Sequence, residues 1–190
     1  MAKFKVLLVE AGTELSVFPP LGLMELGAFL RANNVEVLIK DYCGLNINEN
    51  ELRKTIEKFD PFVVGVRVLT GPNIIRGLVI SKIVKELGKI VVWGGPHPTI
   101  LPEQTLQNQY IDAVVVGEGE YAFLDLLNYL NGKKNLKPLG CAIKKDGKFI
   151  VLEQQKKVVD LNKTELPAWD LVENVDRYFP YKKYNALQLA

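Results

Sequence analysis

Five short runs of apolar residues, rich in valine, isoleucine and leucine, recur through the first part of the chain. They cover residues 5–10, 35–41, 62–69, 89–93 and 111–117. Most are continuously apolar rather than alternating, which is typical of parallel strands buried on both faces of a sheet. The pattern therefore predicts five buried strands.

Between these runs, apolar residues recur at helical spacing. The predicted helices lie within residues 20–34, 48–61, 73–88 and 118–132, with a short helix at 103–108. The first places Leu21, Met24, Ala28 and Leu30 near one face, and the third repeats Ile75, Leu78, Val79, Lys82 and Ile83. Strand–helix alternation predicts an α/β fold, a doubly wound five-stranded parallel sheet of flavodoxin-like order 2-1-3-4-5.

The pattern changes after Gly132. Two short apolar runs flank Asp146–Gly147, which is a strong hairpin signal. We expect a main domain at residues 1–132, a hairpin at 133–160, and a linker at 161–190 with a short helix from about Trp169. The last residues resemble the start of another strand, so we expect this chain to be the front part of a longer protein.

Composition narrows the class of protein. The chain has 190 residues and a net charge of +2, which suits one globular domain and does not indicate nucleic-acid binding. The short basic run at residues 133–137 lacks aromatic neighbours. No apolar run is long enough to span a membrane. Cys43 and Cys141 lie far apart, with no ligand spacing, so we expect a reducing cytoplasm.

Glycine is concentrated in the loops that follow strands 1, 3, 4 and 5, at residues 10–22, 69–73, 94–102 and 117–122. These loops converge at the carboxyl edge of a parallel sheet, where ligands of such folds bind. Glycines let the backbone approach a ligand closely, although sharp turns between strands and helices contain glycine even where no ligand binds. We expect a ligand crevice at this edge.

The sequence lacks the motifs of several kinds of site, which excludes those sites. No Gly-x-Gly-x-x-Gly follows strand 1, and there is no P-loop lysine. His97 is the only histidine, so no catalytic triad can be argued. Arg67 lies in an otherwise apolar strand, where it either pairs with Glu10 or Asp41 or lines the crevice.

The chain resembles the cobalamin-binding domain at the front of radical S-adenosylmethionine enzymes, which include methyltransferases and a cyclase of bacteriochlorophyll synthesis. The motifs that carry the resemblance are the proline pair before Leu21–Gly22, the Gly-Gly-x-His-x-Thr loop, the Gly-Glu-Gly-Glu loop and "LPAWDL". They extend from about Lys5 to Leu171. The resemblance implies cobalamin over the carboxyl ends of the strands, with its nucleotide tail reaching down beside strand 1.

The resemblance also implies a set of cofactor-binding residues and no catalytic residue or metal ligand in this chain. The implied contacts are Gly12, Thr13, Arg67, Thr70, Gly71, Gly94, Gly95, Pro96, His97, Thr99, Gly117, Glu118 and Gly119. His97 follows strand 4, whereas the lower cobalt ligand of mutase-type proteins follows strand 1. We therefore expect His97 to shape a turn or supply one polar contact.

The residues at hand lack the Cys-x-x-x-Cys-x-x-Cys motif that binds the cluster of radical enzymes. The resemblance thus implies a parent chain in which a further domain carries a [4Fe-4S] cluster and S-adenosylmethionine. Two alternatives stay open. One is a degenerate module that binds no cofactor, with Trp93 or Phe18 closing the crevice. The other is a flavodoxin-like domain for another small ligand, which predicts an anion at the start of the helix after strand 3 or strand 5.

Overall fold

The computed structural model describes residues 4–16, 18–132, 138–145, 148–152 and 165–179. Seven strands and six α-helices are present in this part of the chain. The strands are β1 (Phe4–Glu10), β2 (Val35–Asp41), β3 (Val63–Arg67), β4 (Ile90–Gly94), β5 (Ala113–Val115), β6 (Cys141–Lys145) and β7 (Lys148–Val151). The helices are α1 (Leu21–Ala32), α2 (Glu49–Phe59), α3 (Pro72–Glu86), α4 (Pro96–Ile100), α5 (Pro102–Leu106) and α6 (Gly119–Leu130).

All seven strands form one sheet in the order β2-β1-β3-β4-β5-β6-β7. The first five run parallel, which confirms the predicted order 2-1-3-4-5. The predicted hairpin is β6 and β7, and it extends the same sheet because β6 pairs antiparallel with β5. The residues of its predicted turn, Asp146 and Gly147, lie outside the described part.

The sheet separates two apolar cores. Because side chains alternate along a strand, Val6 and Leu8 of β1 face α1 and α6, whereas Leu7 and Val9 face α2 and α3. Met24 and Phe123 fill the first core. This layering places the helix pair α1 and α6 over one face of the carboxyl edge, on either side of the position where the strand order reverses.

The buried face of α3 agrees with the predicted one in part. Ile83 is buried, and Leu78 and Val79 pack against the same core. Ile75, however, is 70% exposed, and Gly77, Ile80 and Val84 are buried against the sheet instead. A Cβ at Gly77 would come within 3.0 Å of the Trp93 ring, so glycine allows the helix to lie close to that ring.

The structure differs from two other local predictions. Residues 94–102, predicted as a loop, contain the five-residue helix α4. Leu21, predicted on the buried face of α1, is exposed at its first position. The short helix predicted near Trp169 is a 3-10 helix at Trp169–Leu171, followed by a second at Val175–Tyr178.

The segment at residues 165–179 packs along α1 and β2. Asp170 pairs with Arg31 of α1 at 2.5 Å, and Glu173 pairs with Lys40 of β2 at 2.8 Å. Asp41 accepts hydrogen bonds from Arg177 and Tyr178. These contacts hold the segment beside the carboxyl end of β2. The basic run at 133–137 and the strand expected near the C-terminus lie outside the described residues.

Within the described ranges, no helix has both the length and the apolar character that crossing a membrane requires.

Candidate functional site: a glycine-floored cavity at the carboxyl edge

A cavity of about 170 Å³ opens at the carboxyl edge of the sheet, between α1 and α6. Leu8 of β1, Val92 of β4 and Val115 of β5 lie along it, together with Leu23 of α1 and Phe123 of α6. The cavity therefore occupies the position near the strand-order reversal where ligands of doubly wound folds bind.

Gly65 of β3 forms part of the cavity floor. A Cβ at this position would lie 2.9 Å from Leu8 Cδ2 and 3.1 Å from Phe123 Cε2. A larger residue would push these side chains out of place, so glycine keeps the floor low. Glycine inside a buried strand marks a close approach of another group to the backbone.

The loops after β4 and β5 border the mouth of the cavity. Gly95 has a φ of 98°, and a Cβ there would lie 3.1 Å from both Arg67 Cγ and Val68 O. Gly117 has a φ of 77°, and its N–H donates to Thr99 Oγ1 at 3.1 Å. Both glycines adopt left-handed backbone that other residues rarely take, so the loop shapes depend on them.

Arg67 lies at the cavity mouth and also forms an ion pair. Its guanidinium contacts Glu10 Oε2 at 2.8 Å, and Glu10 Oε1 accepts the N–H of Gly12 at 3.2 Å. Glu10 is only 1% exposed, and burial raises its pKa despite the opposing effect of Arg67. The two roles considered for Arg67 from the sequence are thus compatible: Glu10 holds the guanidinium in place along the cavity.

His97 lies beside the cavity rather than along it. It is 8% exposed, and its Nδ1 is 3.2 Å from Thr70 Oγ1. Its backbone N–H donates to Val68 O at 3.2 Å. His97 therefore joins the loop after β3 to α4.

The structure brings part of the predicted residue set together around the cavity. The members that line it are Arg67, Gly94, Gly95, Gly117, Glu118 and Gly119. The members outside its lining are Gly12, Thr13, Thr70, Gly71, Pro96, His97 and Thr99. Gly12 packs against Cys43, and Thr13 bonds to Ser16 within the first loop. The remaining members belong to the segments that follow β3 and β4.

Several lining residues were not among the predicted contacts: Gly22 and Glu25 of α1, Gly65 of β3, and Glu120 and Phe123 of α6. Gly22 and Glu120 lie in loops that were predicted to border the crevice, and the glycine inside the apolar run at 62–69 is a signal that could have identified Gly65. Glu25 and Phe123 resemble ordinary helix residues, and only the packing of α1 against α6 places them on a cavity.

The side chains expected to close a degenerate crevice do not do so. Trp93 is buried on the other face of the sheet, where its Nε1–H donates to Ser81 Oγ at 2.8 Å. Phe18 is exposed on the first loop. The open cavity argues against a non-binding module. Among the described residues there is also no cluster of His, Cys, Asp and Glu able to hold a metal ion.

Comparison with known proteins identifies the fold family. Residues 6–127 match the model of the B12 binding domain. The chain is similar to an uncharacterized methyltransferase of Pyrococcus horikoshii, with 33% identity over 94% of this chain and 40% of that protein. It is also similar to an anaerobic magnesium-protoporphyrin IX monomethyl ester cyclase of Rubrivivax gelatinosus, with 27% identity over 82% of this chain and 29% of that protein.

Solved structures share the fold. The cobalamin-dependent S-adenosylmethionine radical enzyme OxsB, with aqua-cobalamin bound, superposes with a TM-score of 0.76 at 22% identity, covering 92% of this chain and 25% of that one. The radical S-adenosylmethionine methyltransferase TsrM from Kitasatospora setae, with cobalamin and a [4Fe-4S] cluster bound, superposes with a TM-score of 0.68 at 21% identity. The match covers 88% of this chain and 32% of that one.

The chain spans less than half the length of each of these relatives. The family match covers the five parallel strands, the helices that connect them and the loops around the cavity. It includes the proline pair after β1 and the glycine motifs after β4 and β5. The resemblance inferred from those motifs is confirmed: this chain belongs to the B12-binding domain family.

Proposed function

We propose that this chain holds cobalamin at the carboxyl edge of its sheet, with the nucleotide tail of the cofactor in the cavity between α1 and α6. The observation that carries the proposal is the cavity itself. Its floor depends on Gly65 having no side chain, in a domain of the B12-binding family. A narrow cleft of this kind suits a bicyclic base, whereas the broad corrin ring suits the open rim above it.

The residues fall into two groups in this proposal. Gly94, Gly95, Gly117, Glu118 and Gly119 border the cavity and would contact the tail, together with Arg67. The rim residues would lie under the corrin ring, whose edge carries amide groups that backbone and hydroxyl groups can bind. The rim residues are Thr70, Gly71, Pro96 and Thr99, with Gly12 and Thr13 on the first loop.

His97 has a positioning role in this proposal, because its ring nitrogen bonds to Thr70 and its side chain is outside the cavity lining. When bound, cobalamin would supply cobalt–carbon chemistry. The protein would bind and orient the cofactor.

We further propose that the chain is the cofactor module of a radical S-adenosylmethionine enzyme of methyltransferase or cyclase type. Support comes from its similarity to a methyltransferase and a cyclase that are both more than twice as long. In such an enzyme another domain would bind the [4Fe-4S] cluster and S-adenosylmethionine. The sequence encoded after Ala190 tests this part: a Cys-x-x-x-Cys-x-x-Cys motif there supports it, and its absence from the whole gene product contradicts it.

Cobalamin binding is tested with the purified chain and hydroxocobalamin. We expect co-elution on gel filtration and a changed visible spectrum, with a Kd well below about 100 μM, since a useful cofactor site binds more tightly than that. Free hydroxocobalamin run alone is the control. Failure to bind at ~100 μM contradicts the proposal.

Replacement of His97 by alanine should weaken cobalamin binding about three- to tenfold. The substitution removes the Thr70–His97 hydrogen bond, of about 0.5–1.5 kcal/mol, that joins the loop after β3 to α4. The visible spectrum of bound cobalamin should stay unchanged, because the imidazole does not contact the cobalt in this proposal. A shift of the cobalt absorption bands in His97→Ala would instead identify His97 as a ligand.

A further inference from the structure

Glu120, in the first turn of α6, borders the cavity with an unsatisfied carboxyl oxygen. Its Oε2 is buried and has no hydrogen-bond partner among the described residues. Arg67 is the one cation among the described residues that line the cavity, and its guanidinium is bound to Glu10. The protein around the cavity thus supplies no partner for this oxygen.

The surroundings of Glu120 restrict what its partner can be. Burial raises the pKa of Glu120; a hydrogen bond from its own backbone N–H to the carboxyl group opposes this, and the nearby Glu118 and Glu25 raise the pKa further. The carboxyl group can accept a hydrogen bond in either protonation state, and its acidic neighbours disfavour an anionic phosphate oxygen as its direct partner. Buried polar atoms are nearly always hydrogen-bonded in folded proteins, so an unpaired one beside a ligand cavity fits a donor on the ligand.

We infer that Glu120 is a specificity-determining residue that accepts a hydrogen bond from an O–H or N–H donor on the nucleotide tail of the cofactor. The inference rests on the proposed binding of cobalamin with its tail in this cavity. Two donors share this chemistry. One is a ribose hydroxyl, which every complete cobamide carries, and the other is an amino group on the base, which adenine carries and dimethylbenzimidazole lacks.

The test compares the unaltered chain with Glu120→Ala and Glu120→Gln in titrations with three ligands: cobinamide, which has no nucleotide, cobalamin, and adeninylcobamide. We expect Glu120→Ala to weaken binding of a nucleotide-bearing ligand about tenfold and to leave cobinamide binding unchanged. Glu120→Gln keeps an acceptor oxygen and should lose less affinity than Glu120→Ala. Equal losses for cobalamin and adeninylcobamide identify the ribose hydroxyl as the donor. A loss for adeninylcobamide alone identifies the base.

Glu36→Ala, an exposed glutamate on β2, is the matched control and should bind all three ligands normally. Thermal unfolding of each variant without ligand checks that the fold is kept. The inference is overturned if Glu120→Ala weakens cobinamide and cobalamin equally, or if it weakens neither cobalamin nor adeninylcobamide. If the unaltered chain binds none of the three corrinoids, the proposed function fails, and the inference fails with it.

Discussion

Replacement of Gly65 by alanine is expected to weaken cobalamin binding about 10- to 100-fold. The added Cβ would lie 2.9 Å from Leu8 Cδ2 and 3.1 Å from the Phe123 ring, so both side chains must move toward the cavity. Overpacking of this kind costs about 1–3 kcal/mol, and the tail of the cofactor would have to displace the same side chains to enter. Titration with hydroxocobalamin, followed by visible absorption, measures the change.

A matched control exists on the same side of the sheet. A Cβ at Gly27 of α1 would also be crowded, 2.9 Å from Leu171 Cδ1, but Gly27 does not line the cavity. Gly27→Ala should therefore lose stability by a similar amount in the absence of ligand and keep its affinity for cobalamin. Cobinamide, which lacks the tail, should bind Gly65→Ala normally. Wild-type affinity of Gly65→Ala for cobalamin would show that the tail does not enter this cavity.

Replacement of Arg67 by methionine is expected to lower the free energy of unfolding by about 2–3 kcal/mol at neutral pH. The substitution leaves the buried carboxylate of Glu10 without its cation, and breaking a buried ion pair from one side is strongly destabilising. The side chain of Arg67 is 31% exposed, so the loss should fall below that of a fully buried pair.

The loss should depend on pH in a defined direction. Burial already raises the pKa of Glu10, and removing Arg67 raises it further. A carboxyl group whose pKa is higher in the folded chain than the unfolded value of about 4.3 keeps its full contribution to stability below that value. This contribution is lost as the pH rises through the folded pKa. The difference between Arg67→Met and wild type should therefore be larger at pH 7 than at pH 4.

Urea denaturation at both pH values measures this difference. The double variant Glu10→Gln/Arg67→Met removes the uncompensated charge and should recover part of the stability lost by Arg67→Met alone. If Arg67→Met alone is as stable as wild type at pH 7, the Glu10–Arg67 pair contributes no net stability.

Much of the fold follows from local patterns. The continuous apolar runs and their connecting helices predict the parallel strands and their order, since short right-handed connections allow few other arrangements. The buried face of α3 was predicted only in part, because several apolar residues compete for burial and the sequence does not say which neighbour they meet. In the structure Gly77 lies against the Trp93 ring, where a Cβ would come within 3.0 Å of the ring.

By itself, the sequence determined the fold class, the family and the glycine-rich loops after β4 and β5 that border the cavity, because strand periodicity and glycine motifs are local features of the chain. Only the tertiary structure decided which residues surround the cavity. Gly65, Glu25 and Glu120 come from three separate elements, and they meet because α1 packs against α6 and Phe123 of α6 lies over Gly65. The ion pair of Glu10 with Arg67 also depends on the pairing of β1 with β3, which places two residues distant in sequence directly opposite each other.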